Sequence, residues 1–145
     1  MKILVINGPN LNMLGKRDKA QYSARTYAEL LDMISKKADE MKVTVDFYQS
    51  NHEGAIIDRL QLAMEDGTDA IIINAGAYTH YSYAIHDALE IINMPKIEVH
   101  ISNIYEREAF RAHSVITEVC SHSIVGEGFE GYLHAMEVIK EALGE

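Results

Sequence analysis

Short β-branched runs alternate with amphipathic stripes along this chain. The runs are Ile3-Leu-Val-Ile6, Val43-Thr-Val-Asp-Phe-Tyr48, Ala70-Ile-Ile-Ile73, Ile97-Glu-Val-His100 and Val119 to Val125. Their length and composition predict strands. Between and after them, apolar residues recur at helical spacing: Tyr27, Leu30, Leu31, Ile34, Ala38 and Met41; Ile56, Leu60, Ala63 and Met64; Ala84, Ile85, Ala88, Leu89 and Ile92; Tyr132, Met136, Ile139 and Leu143. Such spacing puts each group on one helix face. Thr26-Tyr-Ala-Glu29 is a capping box that starts the first helix, Gly67 ends the second, and Asn93-Met-Pro95 stops the third. Strands that alternate with helices in a chain of this size predict an α/β fold. The expected architecture is a flavodoxin-like, doubly wound, five-stranded parallel sheet between two helical layers.

The chain has 145 residues and no Pro/Gly/Ser-rich linker, so a single domain over 1–145 is expected. There is no internal repeat. One connection breaks the pattern of short loops: Asn7 to Ser23 carries no periodicity, and it is longer than the ~12–15 residues at which structureless loops become uncommon. A flexible active-site lid over about residues 15–25 is the expectation. No apolar run approaches the ~20 residues a bilayer requires, and Met1-Lys-Ile-Leu-Val-Ile6 lacks the form of a signal peptide. A soluble, cytoplasmic protein is expected.

A formal charge of −9 argues against general affinity for nucleic acid or acidic membranes, which require excess Lys and Arg. Basic residues therefore stand out where they cluster, as Lys16, Arg17, Lys19 and Arg25 do around the first loop, and Arg107 and Arg111 after the fourth strand. The single cysteine, Cys120, sits in a strand-like context and is expected to be a small buried hydrophobe. Gly126-Glu-Gly-Phe-Glu-Gly131 spells a dinucleotide fingerprint. It lies too late in the chain to open a βαβ unit, and Glu127 and Glu130 would repel a pyrophosphate, so a turn onto the last helix is expected. The seven histidines show no zinc-ligand spacing, and neither a metal nor another cofactor is expected.

Three polar clusters follow predicted strands: Asn7-Gly-Pro-Asn-Leu-Asn-Met-Leu-Gly-Lys-Arg17, Asn74-Ala-Gly-Ala-Tyr-Thr-His80, and Glu98-Val-His-Ile-Ser-Asn103 running on to Arg107 and Arg111. A parallel sheet gathers such segments beyond the carboxyl ends of its strands, where ligands bind. Glu98 and His100, two apart on one strand, point to the same face. A carboxylate beside an imidazole fixes its tautomer and favours the protonated ring, which can then act as a general acid; a surface ion pair is the plainer alternative. Tyr22 closes the long loop five residues after Arg17. A phenol is a poor base at neutral pH, and lowering it by about three units takes roughly 4 kcal/mol of preferential phenolate stabilisation, which a nearby Arg17 can supply. By itself Tyr22 is equally an ordinary loop tyrosine.

Taken together, NGPNLNMLGKR, SNHEG, NAGAYTHYSYAIHDA, EVHISN and FRAHS closely resemble the type II 3-dehydroquinate dehydratases, from Met1 to about Gly131. The resemblance implies anti-elimination of water from 3-dehydroquinate through an enolate, giving 3-dehydroshikimate, in aromatic biosynthesis (the shikimate pathway) or quinate breakdown. It implies Tyr22 as base with Arg17 as its partner, Asn12 as enolate stabiliser by way of a water, and His100 as general acid oriented by Glu98. Substrate-binding positions implied are Asn74, His80, Ile101, Ser102 and Arg111, with Arg107 as loop support and Asp87 reaching across a subunit interface. A homododecamer of four trimers is implied as well, with no metal, nucleotide or lysine Schiff base.

The chain also departs from the family pattern. The usual Arg-Glu-Pro-x-x-Tyr-Gly appears as Arg17-Asp-Lys-Ala-Gln-Tyr22-Ser23, which keeps the Arg-to-Tyr spacing but loses a proline and a glycine. Asn-Pro-Gly-Ala appears as Asn74-Ala-Gly-Ala77, and the double histidine after Phe-Arg is Ala112-His113. Two other classes use the same sheet edge. A flavin or phosphate binder would show a Ser/Thr/Gly-rich first loop, unlike Pro9-Asn-Leu-Asn12, and a non-catalytic relative would lack Arg17, Tyr22 or His100.

Overall fold

Strands β1 (Lys2–Asn7), β2 (Thr44–Gln49), β3 (Ala70–Asn74), β4 (Lys96–His100) and β5 (His122–Val125) form one sheet in the order β2-β1-β3-β4-β5. All neighbours pair in parallel. The computed structural model describes residues 1–16 and 25–144. Arg17 and Tyr22, with most of the expected lid, lie outside the described residues.

Strand parity sorts the core into two layers. Ile3, Val5, Ile72, Ile97, Val99 and Ile124 face helices α1 (Tyr27–Met41) and α4 (Glu130–Ala142), where Leu30, Ile34, Tyr132, Met136 and Ile139 pack against them. Leu4, Ile6, Ile71 and Ile73 face α2 (Glu53–Ala63) and α3 (Tyr83–Glu90) through Ile56, Leu60, Ile85 and Leu89. Because both faces are covered, β1 and β3 are apolar almost throughout, as buried parallel strands usually are, while β4 is equally buried yet carries Lys96, Glu98 and His100. The result is the three-layer, doubly wound sheet expected from the sequence. The order reverses between β1 and β3, which opens a crevice above their carboxyl ends.

The first helix starts where its capping box predicts, and a serine caps the third. Thr26 Oγ1 accepts from the Glu29 N–H at 3.1 Å, and Ser82 Oγ accepts from the Ile85 N–H at 3.1 Å. Among the described residues, no helix is long and apolar enough to cross a membrane. The fifth strand is shorter than its β-branched run predicts. Residues Thr117–Val119 form a 3-10 turn, the Cys120 N–H donates to the Thr117 carbonyl, and sheet pairing begins only at His122. Cys120 packs against the α2/α3 layer, and burial pushes its thiol up to about 12. Gly126 and Gly128 have positive φ and turn the chain from β5 into α4, as the turn interpretation of that motif requires.

The chain leaves β1 through Gly8, whose N–H donates to the Asn74 carbonyl at 2.8 Å. A Cβ on Gly8 would lie 2.5 Å from the Ala75 carbonyl oxygen. The first and third loops therefore touch backbone to backbone, which only glycine permits. Gly8→Ala is expected to cost roughly 1–3 kcal/mol, as overpacking against immovable backbone does. A lower urea midpoint at unchanged m would show it; an unchanged midpoint would mean the loops can separate freely.

Candidate active site

β4 ends in an acid–base pair. Glu98 is wholly buried and His100 is 5 % exposed. Nε2 of His100 donates to Oε2 of Glu98 at 2.6 Å, which leaves Nδ1 for a ligand. Two hydroxyls complete the carboxylate's contacts: Ser114 Oγ donates to Oε2 at 2.8 Å and Thr117 Oγ1 to Oε1 at 2.6 Å. Burial pushes the Glu98 carboxyl up, but the bonds and charge of His100 and the two hydroxyls outweigh it and hold the carboxyl below its ordinary 4.5.

The opposite parity carries a neutral network. Asn7 and Asn74 end β1 and β3 side by side. The Tyr132 hydroxyl from α4 donates to Asn7 Oδ1 at 2.6 Å and accepts from Asn74 Nδ2 at 3.0 Å. Asn7 Nδ2 in turn donates to the Tyr27 hydroxyl at 3.4 Å, and Asn74 Oδ1 accepts from the Gly76 N–H at 3.2 Å. Burial pushes both phenols above their ordinary value, so they remain neutral. Asn74 is thereby fixed at the floor of the crevice.

His80 ends the short 3-10 helix Gly76–His80 that follows β3. Its Nδ1 donates to the His113 carbonyl at 2.8 Å, and its ring stands edge-on to Phe110, 6.0 Å between centroids. Burial pushes His80 below its ordinary 6.5, the His113 carbonyl opposes that, and the charges of His100 and Arg111 add to the lowering. A neutral ring with a proton on Nδ1 presents Nε2 as an acceptor. Arg111 stacks on Phe110, 4.7 Å from the ring centroid, and its Nε donates to Glu108. Arg107 Nη1 donates to Ser102 Oγ at 3.5 Å.

These groups surround a cleft of about 380 Å³ at the carboxyl edge of the sheet. Its lining includes Asn74, His80, His100, Ile101, Ser102, Arg107 and Arg111. The structure thus brings together the site residues expected from the second and third polar clusters, with Glu98 directly behind His100. Asn12 is exposed in the 3-10 helix Leu11–Met13 and is not among the lining residues; Asn10, held at φ 69° with its N–H on Asn51 Oδ1, is the first-loop asparagine that lines the cleft. Asp87 is exposed on α3, hydrogen-bonded to its neighbour His86 at 2.9 Å, and lies outside this chain's own cleft.

Further contributors lie outside the residues expected to form the site. Arg25 lines the cleft, pairs with Glu130 at 3.3 Å and lies over the Phe129 ring. Gly128 and Phe129, from the glycine-rich turn, line it as well. Ser114 and Thr117 sit in a loop without periodicity, and only the folded chain brings them to Glu98. Among the described residues, no group of three His, Cys, Asp or Glu is placed to hold a metal ion.

A buried carboxylate–imidazole pair opening on a small cationic cleft, at the edge of a doubly wound sheet, defines an α/β protein equipped for proton transfer on a small molecule. Residues 1–140 match the family model described as dehydroquinase class II. The chain is 58% identical over 143 residues to the 3-dehydroquinate dehydratase of Caldicellulosiruptor saccharolyticus, covering 99% of each. It is similar in structure to the type II dehydroquinase of Butyrivibrio crossotus, with TM-score 0.93, 55% identity and 97% of each chain covered. The type II dehydroquinase of Propionibacterium acnes gives TM-score 0.91 at 38% identity, over 97% of this chain and 96% of that one. The chain belongs to the class II dehydroquinase family.

The depressed Glu98 carboxyl links stability to pH. The unfolded chain binds this proton more tightly than the folded one, so the stabilisation is full above about pH 4.5 and is lost as pH falls through the lower folded value. Urea titrations at a series of pH values should show the acid limb of stability to be shallower in Glu98→Gln than in the parent. Parallel limbs would show that Glu98 does not carry the linkage.

Proposed function

We infer that the protein is a type II 3-dehydroquinate dehydratase that removes water from 3-dehydroquinate by anti-elimination through an enolate, giving 3-dehydroshikimate. The observation that carries this is the buried Glu98–His100 pair opening on the cleft, in a chain of this family. The cleft volume suits one small ring.

Tyr22, with Arg17 as its electrostatic partner, takes a proton from the carbon next to the ring ketone. The C–H electrons pass into an enolate whose oxygen is stabilised from the first loop. Asn10 takes this role here in place of Asn12, because Asn10 lines the cleft. The enolate then collapses to the conjugated enone as the C–O bond breaks on the other side of the ring, and His100 delivers the proton that makes the leaving hydroxyl water. Glu98 holds the His100 ring in register. Ser102 and the backbone of Ile101 receive the ring carboxylate, Arg111 and Nε2 of His80 the ring hydroxyls, and Asn74 the floor of the site, with Arg107 as support beside Ser102.

The assembly proposed is a homododecamer of four trimers, in which Asp87 reaches a neighbouring subunit's site. Tyr81, Tyr83 and Tyr105 are 60%, 65% and 57% exposed, and aromatics of this kind are favoured at interfaces. Sedimentation at micromolar concentration should give a mass well above 16.3 kDa. A fully active monomer would remove both the assembly and the cross-subunit role of Asp87.

The direct test is ultraviolet detection of enone formation from 3-dehydroquinate. Tyr22→Phe should abolish turnover with little change in substrate binding, since only the proton acceptor is deleted. His100→Ala should lower kcat by roughly 10²–10⁴, the range for a positioned general acid. Borohydride added with substrate should leave the enzyme active. Inactivation that depends on substrate would point to a lysine imine and overturn the mechanism.

A further inference from the structure

Residues 113–117 form a strap that contacts His80 directly and His100 through Glu98. The His113 carbonyl accepts from His80 Nδ1 at 2.8 Å, and the Ser114 and Thr117 hydroxyls donate to the two oxygens of Glu98 at 2.8 and 2.6 Å. The strap is itself held in place. Val115 and Ile116 are buried in the α2/α3 layer, and the Val115 N–H donates to the Thr79 carbonyl at 2.8 Å.

We propose that Ser114 and Thr117 are positioning residues for the proton-delivery step, keeping the negative charge on Glu98 so that His100 retains both ring protons. The argument rests on the function proposed above. An ionised carboxylate removed from water needs donors on both oxygens, or it takes up a proton instead. Here the proton within reach is the one on His100 Nε2, 2.6 Å away. If it moves to Glu98, the ring becomes a neutral imidazole whose remaining N–H is a far weaker acid than imidazolium. Two hydroxyl donors on the carboxylate oppose that transfer without touching the ring or the substrate. Ser114 Oγ also accepts from the Ile116 N–H at 3.3 Å and so closes its own turn. Thr117 Oγ1 has Glu98 as its only side-chain hydrogen-bond partner among the described residues, which makes it the cleaner probe.

The experiment compares Thr117→Val, which keeps the shape and removes the donor, with Thr117→Ser, which keeps the donor. Both are made in the wild-type and Glu98→Gln backgrounds and assayed with 3-dehydroquinate. Thr117→Val is expected to lower kcat about tenfold or more with KM within about threefold, while Thr117→Ser stays within about threefold of the parent. In the Glu98→Gln background Thr117→Val should add little, because the charge it serves is gone. Ser114→Ala should follow Thr117→Val in kcat and in its dependence on Glu98, and it replaces that variant if the valine chain does not fold. Unchanged kcat, equal loss in the valine and serine variants, or independent multiplication with Glu98→Gln would each overturn the inference while leaving the dehydratase function standing. An inactive wild type would overturn the function and the inference with it.

Discussion

The rest of the site is arranged around a buried charge. Glu98 lies at zero exposure on a strand covered on both faces, where an ionised carboxylate is tolerated only with hydrogen bonds on its oxygens. Those bonds dictate the course of the chain after β4. The segment that follows must pass His100, travel through two short 3-10 helices and return so that residues 114 and 117 meet a carboxylate 16 and 19 positions behind them. Once it has returned, the carbonyl of residue 113 falls opposite His80. The segment that satisfies one buried charge therefore also holds a second histidine, on the 3-10 helix after β3, against the same cleft.

Strand parity keeps this charged network apart from a neutral one. Asn7 and Asn74 end their strands toward α1 and α4 and share the Tyr132 hydroxyl, whereas Glu98 and His100 project with the α2/α3 layer. The separation matters for the chemistry. Burial raises the Tyr132 phenol, so it remains a neutral hydrogen-bonding hub and does not compete for a proton.

Much of this was legible in the sequence for physical reasons. β1 and β3 are covered on both faces and so are written as nearly unbroken apolar runs, while the helical stripes face only one way. Glu98 and His100 were visible as a pair because strand periodicity alone puts positions two apart on one face. β5 was overextended because Val119 is β-branched, although a 3-10 turn claims it. The roles of Ser114 and Thr117 are not legible, since no periodicity governs a loop and their partner lies on another element. The first loop divided the same way: two asparagines two positions apart look equivalent, and only the left-handed backbone at Asn10 distinguishes the one that lines the cleft.

The charge distribution completes the fit between fold and ligand. The chain carries a formal −9, yet Arg25, Arg107 and Arg111 line the cleft. Two of these cations are tempered by carboxylates, Arg25 by Glu130 and Arg111 by Glu108, and both guanidiniums also rest on aromatic rings, Phe129 and Phe110. Pairing of this kind holds a long side chain in one orientation and trims its field, which suits recognition of a single small anion at a fixed place. A polyanion would meet the acidic remainder of the surface on either side of the cleft. An anionic ring the size of the cleft meets three guanidiniums among neutral lining residues, with the His100 imidazole beside it.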